Sequence, residues 1–190
     1  MRSEGQPAFS PDGKQIAFVS NRKLGPQDYG NYHVYVTDLE TGETRQVTHG
    51  EERHYDPTYS PDGNWLAFRR GVGGKYLVVV PAEGGPERIV AEDIYLADIA
   101  WSPDSRWLVY SADDIQASRN IFVIPFDPGR SGKPEPLNVT KHFGWNGRPS
   151  FSPDGKNLLF LSGRAGEGQV FRLPLKSEPD PEDKPHEERK

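Results

Sequence analysis

Four short stretches of this chain place apolar side chains at every second position: Ile16/Phe18, Leu66/Phe68, Leu108/Tyr110 and Leu158/Phe160. A spacing of two belongs to a β-strand, whose successive side chains point to opposite faces. The pattern predicts strands over Gln15–Ser20, Asn64–Arg69, Arg106–Ser111 and Asn157–Ser162. Each is preceded by a shorter strand ending on an aromatic residue. Each is followed, after a variable loop, by a further strand, at His33–Thr37, Tyr76–Val80, Asn120–Pro125 and Gln169–Leu173. In these, Val78–Val79–Val80 and Ile121–Phe122–Val123 are apolar without alternation, as suits a strand covered on both faces. An edge strand is expected at Thr44–Thr48, Arg88–Ala91 and Pro136–Thr140. The chain therefore reads as all-β, a stack of small sheets.

The strands are organised by a repeat. The copies are FSPDGKQIAFVS from Phe9, YSPDGNWLAFRR from Tyr59, WSPDSRWLVYS from Trp101 and FSPDGKNLLFLS from Phe151. Their Ser-Pro-Asp segments begin at Ser10, Ser60, Ser102 and Ser152, with offsets of 50, 42 and 50 residues. A period of this length, made of short strands and turns, marks a propeller blade or a related repeat array. The turn has its own chemistry. Proline presets φ, the aspartate accepts backbone N–H groups, and glycine takes the left-handed position without steric cost. Asp12, Asp62, Asp104 and Asp154 are thus expected to form turns and not to pair as catalytic acids, since each lies one unit from the next. Unit three carries Ser105 in place of glycine, which predicts a slightly strained or differently shaped turn.

Composition narrows the chemistry. The 190 residues suffice for one domain, and 20 glycines with 18 prolines fall at turns. Without cysteine there is no disulfide, thiol nucleophile or cysteine-held metal. A charge of −5 and basic residues scattered among acids argue against a nucleic-acid surface, since Arg119 and Arg130 join no aromatic stripe. No apolar run approaches the roughly 18 residues of a membrane span, so no membrane insertion is expected. The start, MRSEGQPAFSPDG, shows no signal-peptide apolar region. No Ser elbow, zinc-protease motif, calcium loop or phosphate loop is present. His49 and His54, in HGEERHYD, are a weak metal pair. No cofactor and no metal site are expected.

The recurring phrase resembles the TolB-type propeller repeat, also called PD40, a relative of the WD40-like repeats. It runs W-S-P-D-G-x-x-I-A-F-x-S-x-R, then I-Y-V-x-D, then x-L-T, and here it appears as Phe9–Arg22, His33–Asp38 and Gln46–Thr48. It returns at Tyr59–Arg70 and Phe151–Arg164. Unit three departs from it, with Ser105 at the turn glycine and Asp113 where the arginines stand. The resemblance implies an all-β propeller over residues 1–173, with blades at about 7–48, 56–91, 97–140 and 147–173, the last without an outer strand. Residues 174–190, charged and rich in proline, read as a disordered tail. Four blades leave three arrangements open: a fragment of a larger propeller, a small closed ring, or a half ring completed by a second chain. The resemblance further implies a non-enzymatic protein- or peptide-binding module like the TolB component of the Tol–Pal envelope system. The alternative is the substrate-gating propeller of a prolyl-oligopeptidase-like or tricorn-like peptidase lacking its catalytic domain. It points to the periplasm or export, while the lack of a signal sequence leaves the cytoplasm open.

The variable loops are expected to gather on one face, opposite the Ser-Pro-Asp turns, and irregular loops on a rigid scaffold commonly carry binding. The candidates there are Arg22, Tyr29, Tyr32, His54, Tyr55, Tyr95, Trp145 and Arg148. Tyrosine, tryptophan and arginine dominate interface hot spots. The competing reading is that Tyr95 and Trp145 pack between blades. Arg22, Arg70 and Arg164 are read as one repeated position, bonding carbonyls or carboxylates of a neighbouring blade such as Asp38 or Asp56.

Overall fold

The computed structural model describes residues 4–22, 31–116, 118–130, 132–141, 143–164, 166 and 168–175. Four antiparallel sheets follow one another along the chain, each with its strands in sequence order. The first holds β1 (Glu4–Phe9), β2 (Gln15–Ser20), β3 (His33–Asp38) and β4 (Thr44–Gln46). The second holds β5 (His54–Tyr59), β6 (Trp65–Arg70), β7 (Tyr76–Pro81) and β8 (Arg88–Glu92). The third holds β9 (Ile94–Trp101), β10 (Trp107–Asp113), β11 (Arg119–Pro125) and β12 (Leu137–Asn138). The fourth has three strands, β13 (Asn146–Phe151), β14 (Asn157–Ser162) and β15 (Gln169–Pro174). The edge strands β4 and β12 are shorter than the sequence suggests. Residues 176–190, most of the expected tail, lie outside the described residues.

The first strands of the sheets form an inner wall. β1 packs on β5, β5 on β9, and β9 on β13. No comparable packing joins β13 to β1 among the described residues, so the four sheets make an arc and not a closed four-blade ring.

Burial between adjacent sheets holds the arc together. Ala17, Val19, Val34 and Val36 of the first sheet meet Leu66, Phe68, Val78 and Val80 of the second. Ala67, Leu77 and Val79, on the other face of the second sheet, meet Leu108, Tyr110 and Ile124 of the third. Val109, Ile121 and Val123 then meet Leu158 and Phe160 of the fourth. This explains the unbroken apolar runs, because a middle sheet has no solvent face. Burying each of the valine, leucine, isoleucine and phenylalanine side chains contributes about 1.5–3 kcal/mol. Polar ties cross the same seams. Tyr59 Oη donates to Gln15 Oε1 at 3.2 Å, and the Trp101 indole donates to Thr58 O at 3.4 Å.

The Ser-Pro-Asp turns close as their chemistry demands. In the first, the Ser10 hydroxyl donates to Asp12 Oδ1 at 2.6 Å and accepts the Gln15 N–H at 2.9 Å, while the Lys14 N–H donates to Asp12 Oδ1 at 3.1 Å. The same serine-to-aspartate bond recurs at Ser60, Ser102 and Ser152. Gly13, Gly63 and Gly155 take φ of 72°, 75° and 70°, and Ser105 takes 60° in the equivalent place. The predicted strain is therefore present, but it is offset. Ser105 Oγ accepts the Asp62 N–H of the second sheet at 3.0 Å, a seam bond that glycine could not make.

Two measurements check these turns. Left-handed φ in a non-glycine residue costs about 1–2 kcal/mol, and a typical hydrogen bond contributes about 0.5–1.5 kcal/mol. Ser105→Gly removes both and is expected to change urea stability by less than about 1 kcal/mol. Ser105→Ala keeps the strain, loses the bond, and is expected to destabilise by about 1 kcal/mol. The second measurement is the acid limb. The hydroxyls of Ser10 and Ser152, then the N–H groups of Lys14 and Lys156, hold the Asp12 and Asp154 carboxyls below the ordinary 3.8. A depressed carboxyl adds stability above its unfolded pKa and loses it as pH falls through the folded value. Urea midpoints should therefore decline below about pH 4, and the Asp12→Asn/Asp154→Asn double variant should decline less steeply.

Candidate binding site on the loop face

In an antiparallel meander the starts of first and third strands share one edge of the sheet with the ends of second and fourth strands. Every described candidate residue lies at that edge; Tyr29 lies outside the described residues. The Ser-Pro-Asp turns occupy the opposite edge. There, a cavity of about 250 Å³ between the first two sheets is lined by Asp12, Asp62 and Glu83, with Asp12 and Asp62 bonded into their own turns.

The inner wall has a recurring irregularity. Four residues before each Ser-Pro-Asp stand Gln6, Asp56, Asp98 and Arg148, with φ of 54°, 50°, 52° and 52°. Each falls where the pairing of first and second strands shifts register. Left-handed non-glycine residues persist only when their surroundings enforce them. Here the enforcement passes from sheet to sheet. Gln6 Oε1 accepts the Asp56 N–H at 2.9 Å, and Asp98 Oδ2 accepts the Arg148 N–H at 3.0 Å. Between them, Asp56 is ion-paired with Arg69, whose Nη1 donates to Leu96 O at 2.8 Å. Ser111 Oγ also donates to Asp98 Oδ2, at 2.8 Å.

Two of the predicted aromatic residues are exposed. Tyr95 is 60% and Trp145 43% accessible, so neither ring is buried between blades, although Tyr95 lies against Gly73 of the second unit. They are nonetheless held. A Cβ on Gly73 would come within 2.7 Å of Tyr95 Cδ1, and one on Gly147 within 2.7 Å of Trp145 Cζ2. Each ring thus rests on bare backbone. Arg119 links them: its Nη2 donates to Tyr95 O at 3.5 Å, and its backbone forms a β-bridge with Trp145. Both links run through backbone atoms and not through the rings. The Arg119 charge is paired with Asp113, the Nε–Oδ1 distance being 2.5 Å. That bond holds the guanidinium pKa above its usual value. Arg148 is exposed.

The other candidates do not join this group. His54 is fully buried, its ring 5.3 Å from that of His33 and 5.4 Å from that of Phe68, so it offers no surface to a partner. His49, the other member of the weak metal pair, is exposed. No group of three or more His, Asp or Glu side chains is arranged for a metal ion among the described residues. Tyr55 is half-buried beneath the Arg69 guanidinium, 5.2 Å from its ring centre. Tyr32 is half-buried and its carbonyl accepts the His54 N–H at 2.8 Å. Arg22 lies over the stacked rings of Phe18 and Tyr35, at 5.0 and 5.4 Å.

The supposed repeated arginine is two different residues. Arg22 and Arg164 correspond: each bonds the hydroxyl of the preceding serine and lies over a stacked aromatic pair, Phe160/Phe171 in the case of Arg164. Arg70 ends β6 and pairs with Glu52 and Glu87. Asp56 is held by its neighbour Arg69. In the third sheet Asp113 ends β10, opposite Arg119. Sequence reading missed Asp98, Arg69, Gly73 and Gly147. Their signal was weak: the position four residues before each Ser-Pro-Asp varies in type, and only its conformation repeats.

A family model described as "TolB beta propeller domain" matches residues 2–124. A protein TolB homolog of Chlorobium luteolum is 30% identical, the match covering 86% of this chain and 35% of that protein. An uncharacterized peptidase, YuxL, of Bacillus subtilis is 29% identical, the match covering 81% of this chain and 28% of that protein. The chain thus spans about a third or less of the length of these two relatives. Among solved structures, a putative TolB from Agrobacterium tumefaciens superposes with a TM-score of 0.69 at 26% identity, covering 91% of this chain and 58% of that one. The tricorn protease superposes with a TM-score of 0.66 at 19% identity, covering 89% of this chain and 18% of that one, a likeness of fold.

The glycine supports give a direct check. Gly147→Ala should force the Trp145 indole off its support and change its fluorescence maximum and quenching. Trp145→Ala, which removes an exposed ring, should leave the urea midpoint nearly unchanged, within about 0.5 kcal/mol.

Proposed function

This chain belongs to the TolB beta-propeller family, and we propose that it is a non-enzymatic module that binds a protein or peptide through its loop face, as a TolB-type component of an envelope system. The observation that carries the proposal is the pair of exposed aromatic rings, Tyr95 and Trp145, each fixed on a glycine backbone. Exposed aromatic rings held in place lose little freedom on binding and contribute disproportionately to interfaces. Family membership supports the periplasm or an exported location. The likeness to the Bacillus subtilis peptidase supports a second reading, in which the same face admits substrate to a catalytic domain.

A further part of the proposal concerns the arc. Leu161 and Val170 are paired across the outward face of the fourth sheet, and Val170 is 70% exposed. Their counterparts Val19 and Val34 are buried against the second sheet. A second copy could supply the missing cover with Ile16 and Phe18, at the positions that Leu66 and Phe68 hold in the buried seam. Self-association to complete the propeller is the arrangement we favour.

Tyr95→Ala/Trp145→Ala should abolish co-purification of the native partner while leaving the fold intact by circular dichroism. A co-purified serine hydrolase labelled by a fluorophosphonate would favour the second reading. Light scattering over a concentration series should show a discrete dimer, with Val170→Glu shifting it to monomer. A wild-type monomer at all concentrations would refute the self-association.

A further inference from the structure

We propose that the outer edge of β15 is a docking site for an extended segment of another polypeptide, one that carries valine followed by threonine. The segment pairs with β15 as a fourth strand and completes the last sheet. The site lies on the edge of the fourth sheet and is independent of the loop-face reading.

The other sheets show what covers such an edge. β3, β7 and β11 each lie between two strands, whereas β15 pairs with β14 alone among the described residues. β3, β7 and β11 each hold four buried residues and β15 holds none, so the edge of β15 is open. In the first sheet the covering segment is Arg45-Gln46-Val47-Thr48, and in the third it is Leu137-Asn138-Val139-Thr140. Both dock in the same way. The Val47 N–H donates to Val34 O at 2.8 Å, and the Val34 N–H donates to Thr48 Oγ1 at 2.9 Å. The Val139 N–H donates to Ile121 O at 2.9 Å, and the Ile121 N–H donates to Thr140 Oγ1 at 3.0 Å. The second sheet has Ala91 in place of threonine and pairs it with Leu77 in the ladder.

Val170 is the counterpart of Val34 and Ile121. Leu161 stands opposite it, as Val19 stands opposite Val34 and Ser111 opposite Ile121. In the covered sheets the incoming valine packs beside this residue. Val47 shares an apolar cluster with Val34, and Val139 packs against the cluster that holds Ile121. On β15 the Val170 side chain is 70% exposed, and a valine beside it would form the same cross-strand pair. An edge of this kind is a template for another chain. Strand addition takes its affinity from main-chain bonds and its selectivity from alternate side chains.

The same edge sets the length of the segment. The Asp38 N–H of β3 donates to Glu43 O, but the counterpart of Asp38 is Pro174, which has no N–H. Pairing is thereby confined to Val170 and Arg172. The third sheet holds β12 with a ladder of two residue pairs, so a short segment suffices. Residues 176–190 contain no β-branched residue and include Pro179, Pro181 and Pro185, a composition unlike the covering segments. The matching segment therefore comes from a separate polypeptide.

The probe is a blocked, dye-labelled peptide with the sequence of residues 43–50, the first sheet's own covering segment. Binding is read by fluorescence anisotropy, and its place by amide exchange in the isotope-labelled chain. Saturable binding is expected, with slowed exchange at Val170 and Arg172. N-methylation of the peptide's valine removes the bond to Val170 O and should weaken binding about 10-fold or more. Alanine in place of its threonine should weaken binding about 2- to 10-fold. Arg172→Pro removes an edge N–H while leaving the bonds to β14, and should abolish binding in a chain still folded by circular dichroism. Should that variant fail to fold, the N-methylated peptide decides. No saturable binding, indifference to N-methylation, or protection of β3 in place of β15 would each overturn the proposal. Binding should be unchanged in Tyr95→Ala/Trp145→Ala; its loss there would place the peptide on the loop face and remove β15 from its recognition.

Discussion

Everything in this molecule depends on small sheets that cannot stand alone. A four-stranded sheet of six-residue strands, apolar on both sides, has no solvated face and must be covered twice. The second and third sheets satisfy that requirement completely: Leu66 and Phe68 face one way, Ala67 and Val79 the other, and all are buried. The first and fourth sheets satisfy it on one side. The register of strands, the spacing of the repeat and the placing of the loops all follow from this need for cover.

Stacking sheets face to face creates a second problem at the inner wall, where the first strands converge. The chain answers it with a register shift in each first strand and a left-handed residue at the shift. The local strain is maintained because the side chain of one such residue holds the backbone of the next, as Gln6 holds Asp56 and Asp98 holds Arg148. The same shift gives Gly147 its place beneath the Trp145 indole. A feature that secures the scaffold thus also positions an exposed indole.

The scaffold was legible in the sequence because its physics is local and repeated. Alternation at Ile16/Phe18 and its three counterparts gave the strands, and Ser-Pro-Asp gave the turns, including the strain at Ser105. The site was legible only in part. Residue type suggested Tyr95, Trp145 and Arg148, and all three side chains are exposed. The same logic chose His54, which the fold buries against His33 and Phe68. Nothing in the HGEERHYD segment distinguishes the exposed His49 from the buried His54, since that depends on which residue begins β5. The seam bonds of Asp98 and Arg69 were equally hidden, because they join positions far apart in the chain through side chains of unlike type.

The three seams are unequal. The seam between third and fourth sheets buries the fewest side chains, with Val109, Ile121, Val123, Leu158 and Phe160 as its centre. In an array whose units contact only their neighbours, opening begins where the interface is smallest. Tyr95 belongs to the third sheet, and Trp145 and Arg148 to the fourth. A ligand touching both sheets would therefore act as a clasp across this seam, and by linkage raise the free energy of opening there. Amide exchange in β13 and β14 would slow on binding, and the affinity of the face would carry within it the cost of keeping the fourth sheet docked.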